Sequence, residues 1–249
     1  MSGLMTSGTV ATSVTFPAKI SESLLVVVQN ALSTAWQRLL AVVDAGEFSV
    51  CDATEDQITE RLSLILGELH ADDSVCGLSQ FETPVREGNL RNFNGKHLDR
   101  QPDLTFRPLR GYIQTNNTVL TGIFIECKPI DSTHPVTGTY CRTGLERFVN
   151  GEYAWAVDRA MMLGYVRNIC TLPDGLSSCL GNPKLAADMN LQGNLETTSP
   201  TTAGEVVCQS RHDRKFCLEG TSKPVGFITV HHLWLHLTVG CENSRCKSK

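Results

Sequence analysis

Between Pro102 and Lys128 lie three side chains that could do chemistry together. Asp103 opens the short run Leu104-Thr105-Phe106, and Glu126 and Lys128 end the apolar run Gly122-Ile123-Phe124-Ile125. Both runs read as strands. Residues two apart in a strand share a face, so Glu126 and Lys128 project together and Cys127 turns away. A carboxylate beside an amine, next to a strand that carries a second carboxylate, is a place to hold a divalent metal and activate a water. Asp103 and Glu126 supply two oxygen ligands, and the backbone carbonyl of Cys127 a third. Lys128 would orient or deprotonate the attacking water, or stabilise the negative charge that develops.

The elements that must position these groups follow from periodicity. Ser21 to about Ala45 reads as a helix, with Leu24, Val28, Ala31, Ala35, Leu39 and Val43 at helical spacing, Ser21 as its cap and Gly46 at its end. Thr54-Glu55-Asp56-Gln57 is a capping-box pattern that opens a second helix with a core stripe of Ile58, Leu62, Ile65 and Leu69. Carried back one turn, the stripe lands on Glu55, an auxiliary carboxylate at the helix start. Its position also suits the helix dipole alone, and Glu60 is the alternative. Phe81 to Arg86 reads as a short strand. A long helix is expected over Arg142–Met162, a strand at Gly164-Tyr165-Val166, a short helix at Lys184–Met189 and a mobile loop at Gln192–Gly204. A β-hairpin follows, Val206–Leu218 and Val225–Val239, with a turn near Gly220–Pro224. A flexible lead-in (residues 1–17) and a frayed basic tail from Cys241 complete the chain. The expected architecture is α/β (α+β): one domain over residues 18–249 with a central mixed sheet flanked by helices and a C-terminal hairpin extension over about 171–249.

The pair Pro102-Asp103, followed by Glu126-Cys127-Lys128 at the end of an apolar strand, resembles the PD-(D/E)XK nuclease superfamily, the restriction-endonuclease-like fold. Asp103 and Glu126 are 23 residues apart, which suits neighbouring strands joined by a hairpin. The resemblance covers about residues 50–170 and places Glu55 on the preceding helix. It implies an αβββαβ core and Mg2+ (or Mn2+)-dependent hydrolysis of nucleic acid, DNA rather than RNA, by a water that the metal activates. Asp103 and Glu126 would be metal ligands, Lys128 would assist the water and Glu55 would be auxiliary. The resemblance also implies work within a larger system such as antiviral defence or repair, with a partner protein or as a homo-oligomer. Arg100, Arg107, Arg147, Arg211 and Arg214 are candidates for binding the nucleic acid. The cluster Ser210-Arg211-His212-Asp213-Arg214 reads equally as a phosphate site or as a charged strand edge. The rival reading is an inactive nuclease-fold subunit that acts as a protein–protein or nucleic-acid-binding module.

Composition sets the outer bounds. The chain has 249 residues, 41 % hydrophobic and 19 % charged, which is enough for a sizeable core without staples. The net charge of −4 leaves nucleic-acid binding to a local basic groove. The run Leu24–Val43 is interrupted by Gln29, Asn30, Gln37 and Arg38, too polar for a membrane span. No basic, apolar leader opens the chain, so a cytoplasmic location with mostly reduced cysteines is expected. His231, His232 and His236, with Cys208, Cys217, Cys241 and Cys246, raise a zinc-stabilised module as a third reading. Their spacing is irregular and favours core or interface histidines. Neither a Gly-rich phosphate loop nor a serine nucleophile elbow occurs.

Overall fold

The structure, a computed structural model, describes residues 16–218, 221–222 and 224–237. The lead-in before Phe16, the tail from Cys241 and part of the hairpin turn fall outside them. Two helices come first, α1 (Glu22–Asp44) and α2 (Glu55–Ala71). Strands β1 (Val85–Arg86), β2 (Leu104–Phe106) and β3 (Ile123–Ile130) follow. A π-helical segment (Val136–Leu145) runs into a single turn, α3 (Glu146–Val149), and the chain returns as β4 (Arg159–Val166). Helices α4 (Leu172–Leu180) and α5 (Pro183–Asp188) precede β5 (Glu196–Thr197), β6 (Val207–Cys217) and β7 (Pro224–His236).

The strands form one seven-stranded mixed sheet in the order β1-β2-β3-β4-β7-β6-β5. Its centre is parallel, with β3 beside β4 and β4 beside β7. Its flanks are antiparallel: β1 and β2 lead up to β3 on one side, and β6 and β5 continue from β7 on the other. Parallel central strands are covered on both faces, so β3 is buried along its whole length. On one face Tyr165 stacks on Trp36 of α1, ring centroids 5.8 Å apart, and shares a hydrogen bond with Thr59 of α2. On the other, Tyr140 of the π-helical segment packs edge-on against Trp234 of β7. No helix among the described residues is long and apolar enough to cross a membrane.

The helix starts follow their local chemistry. Ser21 accepts from Leu24 N, and the reciprocal Thr54/Gln57 bonds of the capping box are both made. Gly46 takes the left-handed conformation (φ 75°) just beyond α1. Several expectations need correction. The helix expected over Arg142–Met162 is two elements, because the helical segment begins at Val136 and ends at Val149, and Gly151 (φ 72°) turns the chain. Ala160–Val166 then continues as β4. Its unbroken apolar run suits a strand buried on both faces as well as a buried helix, and periodicity alone does not separate the two. The expected loop at Gln192–Gly204 carries β5 and is pinned to α1, where Asn30 accepts from Thr202 N and Ser33 and Gln37 donate to Glu205. The C-terminal hairpin is no appendage, since β7 enters the middle of the sheet beside β4. Cys76, Cys127, Cys141, Cys170, Cys179, Cys208 and Cys217 are free thiols, whereas Cys51 is disulfide-bonded.

Candidate active site

The capping box fixes where α2 begins and so puts Glu55 in its first turn, at the end of β3. Antiparallel pairing of Leu104 with Ile125 brings Asp103 beside β3, where its Oδ2 accepts from Cys127 N at 2.6 Å. Glu126 and Lys128 share the face of β3 that meets the π-helical segment. Gly144 of that segment passes close to them: a Cβ there would lie 2.6 Å from the Met162 Cε methyl, 3.2 Å from Lys128 Cγ and 3.5 Å from Glu126 Cγ.

The result is a lysine among three carboxylates. Lys128 Nζ lies 2.6 Å from Glu55 Oε1, 2.9 Å from Glu126 Oε1 and 3.9 Å from Asp103 Oδ2. Glu126 is fully buried. Tyr153 donates to its Oε2, and Arg147 approaches its Oε1 at 3.1 Å. Lys128 Nζ and Arg147 both lie at ion-pair distance from Oε1, though neither is aligned as a hydrogen bond, so this oxygen is held by charge and not by a directed donor. Glu60 is exposed on the outer side of α2, so Glu55 is the carboxylate delivered to the site.

Burial and like charge set the protonation behaviour. Asp103 is pushed up to about 7, first by burial and then by the charge of Glu126, with Lys128 and the Cys127 amide opposing. Glu126 is raised by burial against the pull of Lys128 and Arg147. Burial works to lower Lys128, but the three carboxylates outweigh it and hold the ammonium charged above the ordinary lysine range.

Among the described residues no three His, Cys, Asp or Glu side chains form a ready metal cage. Magnesium does not ask for one, since it commonly takes one or two carboxylates and keeps its waters. Its fit here rests on Glu126 Oε1, which accepts no aligned hydrogen bond, and on three carboxylates facing Lys128 and Arg147, with Asp103 raised to about 7 first by burial and then by the charge of Glu126. Asp103, Glu126 and the Cys127 carbonyl are the oxygens that would hold it.

The arginines separate. Arg147 touches Glu126, while Arg100 pairs with Glu152 at 3.6 Å on the loop that also carries Tyr153. Arg107 is half-buried beside Leu109 and Ile113, lining a cavity of about 680 Å³. Arg211 is exposed on β6, lying over the Phe227 ring at 3.9 Å, on the far side of the sheet from the carboxylates. Arg214 corrects the expectation of nucleic-acid binding. It is fully buried and donates to the carbonyls of Ala154, Trp155, Val157, Gly226 and Phe227, so its donors are spent on the backbone. Strand alternation explains the split, because Ser210, His212 and Arg214 point inward and Arg211 outward. Helical spacing puts Tyr153 on the core face of the expected Arg142–Met162 helix; it lies instead on the loop after α3, and its contact with Glu126 depends on that loop.

Histidines on β6 and β7 join a different network. His212 Nδ1 lies 2.8 Å from the Met189 carbonyl, which can only accept, so Nδ1 carries the proton. Ser210 therefore donates to His212 Nε2 (2.6 Å) and accepts from His232 Nε2 (2.7 Å), and Tyr140 donates to His232 Nδ1 (3.0 Å). Every nitrogen of His212 and His232 is occupied, which leaves no lone pair for zinc. His236 is exposed, and Cys241 and Cys246 lie outside the described residues. No family model, curated protein or solved structure matches the chain.

Proposed function

We propose that the protein is a metal-dependent nuclease of PD-(D/E)XK type with a restriction-endonuclease-like fold. The observation that carries this reading is the convergence of Glu55, Asp103 and Glu126 on Lys128 Nζ across the antiparallel pair β2–β3. The two-helix lead, the β2–β3 hairpin and the helical crossover from β3 to parallel β4 are consistent with that core. Bound by Asp103 and Glu126, Mg2+ or Mn2+ would neutralise charge on the phosphate. Lys128, held as an ammonium, acts as a donor to the attacking water or to the developing oxyanion rather than as the base. Tyr153 and Arg147 hold the Glu126 carboxylate in one orientation. DNA is the preferred substrate on the resemblance, with RNA as the comparison.

Full burial of Glu126 favours a second reading, a nuclease-fold subunit that binds without cutting. Incubating the protein with Mg2+ or Mn2+ and labelled single-stranded DNA, duplex DNA and RNA separates the two. The nuclease reading expects cleavage of one of these that falls at least about a hundredfold in Asp103→Asn and in Lys128→Met. No cleavage, or equal cleavage by the variants, sinks it.

A further inference from the structure

The loop that carries Tyr153 to Glu126 carries a second aromatic residue elsewhere. Trp155, two residues on, lines a cavity of about 630 Å³ whose walls also include Phe16, Phe93 and Arg91. Its indole Nε1 donates to the Arg91 carbonyl at 2.9 Å, the Arg91 guanidinium lies over the ring at 5.3 Å, and the Phe16 ring is 6.1 Å away. Phe93 is held beside the same loop by its amide, which donates to the Gly151 carbonyl. The aromatic walls of the cavity therefore come from three segments: Trp155 on the loop between α3 and β4, Phe93 on the loop between β1 and β2, whose ring packs on Phe216 at 4.3 Å, and Phe16 ahead of α1.

Its rim is made of carboxamides. Asn94, Asn116 and Asn117 all line it, and no Asp or Glu does. The side-chain oxygens of Asn94 and Asn117 are already used, accepting from Lys96 N and Leu120 N. That fixes their NH2 groups as donors, and among the described residues nothing accepts from them. Asn116 is exposed and makes no side-chain hydrogen bond among the described residues. Aromatic walls with uncommitted amide donors and acceptors, and no repelling carboxylate, match a planar heteroaromatic ring with polar edges. A strand of nucleic acid offers such a ring only when the base is out of its stack. Tyr153, whose hydroxyl donates to Glu126, and Trp155 are two residues apart, so one loop serves both the cavity and Glu126.

We infer that the cavity between Trp155, Phe93 and the Asn94/Asn116/Asn117 rim receives an unstacked nucleobase of the strand that binds at the cluster of Glu55, Asp103 and Lys128. The substrate class is then single-stranded or locally opened nucleic acid. The inference deepens the nuclease reading and rests on it for the position of the scissile phosphate, but its test needs no cleavage.

Binding is measured on the whole protein with chelator present, by anisotropy of labelled single-stranded and duplex DNA oligonucleotides and by fluorescence of 2-aminopurine in the single strand. The wild type is expected to bind the single strand about tenfold or more tightly over the duplex and to quench 2-aminopurine by stacking. Asn116→Ala and Phe16→Ala, both at exposed positions, are expected to weaken single-strand binding about five- to tenfold with unchanged thermal melting. Equal affinity for both forms, or variants that bind as the wild type does, overturns the inference. Loss of cleavage in Asp103→Asn reports on the active site alone, so either reading can fail while the other stands.

Discussion

Two buried polar clusters sit on the same face of one sheet and solve burial in opposite ways. At β2–β3, Glu55, Asp103 and Glu126 surround Lys128, and charge is kept by pairing. At β6–β7, Tyr140, His232, Ser210 and His212 form a chain of hydrogen bonds in which every donor meets an acceptor and nothing is charged. Burial disfavours charge at both places: it raises Asp103 and Glu126 and lowers His212 and His232. The histidines respond by staying neutral. The carboxylates are only partly relieved: Lys128 pulls them toward the ionised form, yet burial still raises Glu126 and holds Asp103 at about 7. A fully paired neutral network adds stability and specificity to the core, whereas an incompletely satisfied charged cluster is a place with capacity left for a ligand.

Removing the central cation should have the largest effect. Lys128→Met leaves three carboxylates facing one another, and urea unfolding should show a loss of about 3–5 kcal/mol. Adding Glu126→Gln should return part of it. A double variant no more stable than the single one would mean that the carboxylates are less coupled than their distances imply. Acid should break the other cluster next. His212 is lowered to about 4 by burial, and its ordinary value is 6.5. Its contribution is present above pH 6.5 and lost as pH falls through 4, because the unfolded chain takes up the proton first. The loss is of the order of 3 kcal/mol. Unfolding measured between pH 7 and 4 should steepen accordingly, and His212→Gln should flatten that slope.

Ser210→Ala is expected to cost about 1–3 kcal/mol by thermal or urea unfolding, since it strips His212 Nε2 of a donor and His232 Nε2 of an acceptor. Cleavage should be untouched, because β4 lies between the two clusters and Ser210 is a further strand away on β6. The smallest effect belongs to Tyr153→Phe, which removes one donor to Glu126. Stability should fall by about 1–2 kcal/mol and kcat by about tenfold, with KM nearly constant, as expected for a residue that orients a ligand-holding carboxylate. A change confined to KM would place Tyr153 in substrate binding instead.

The candidate cluster was more legible than the fold around it. Period-two alternation put Glu126 and Lys128 on one face and Cys127 on the other, and the Thr54-to-Gln57 spacing located Glu55 at a helix start. Both patterns are local, needing only neighbours along the chain. The boundary between α3 and β4 was not legible, since Ala160-Met161-Met162-Leu163 is apolar throughout and matches a buried helix as well as a central strand. Arg214 was misread for a related reason. Its charge suggested the surface, but alternation with Ser210 and His212 turns it inward to five backbone carbonyls that belong to residues distant in sequence or on the neighbouring strand.

By itself, the sequence determined which side chains of the Pro102–Lys128 stretch share a face, because strand geometry makes that a matter of counting. Only the tertiary structure decided that Glu55 reaches Lys128, that Arg147 and Tyr153 turn to Glu126, and that Glu126 is sealed from water. Those contacts join residues far apart in the chain, and they exist because α2, the π-helical segment and the loop before β4 pack against one end of β3. Burial then sets the charge state of each group, which no residue type carries on its own.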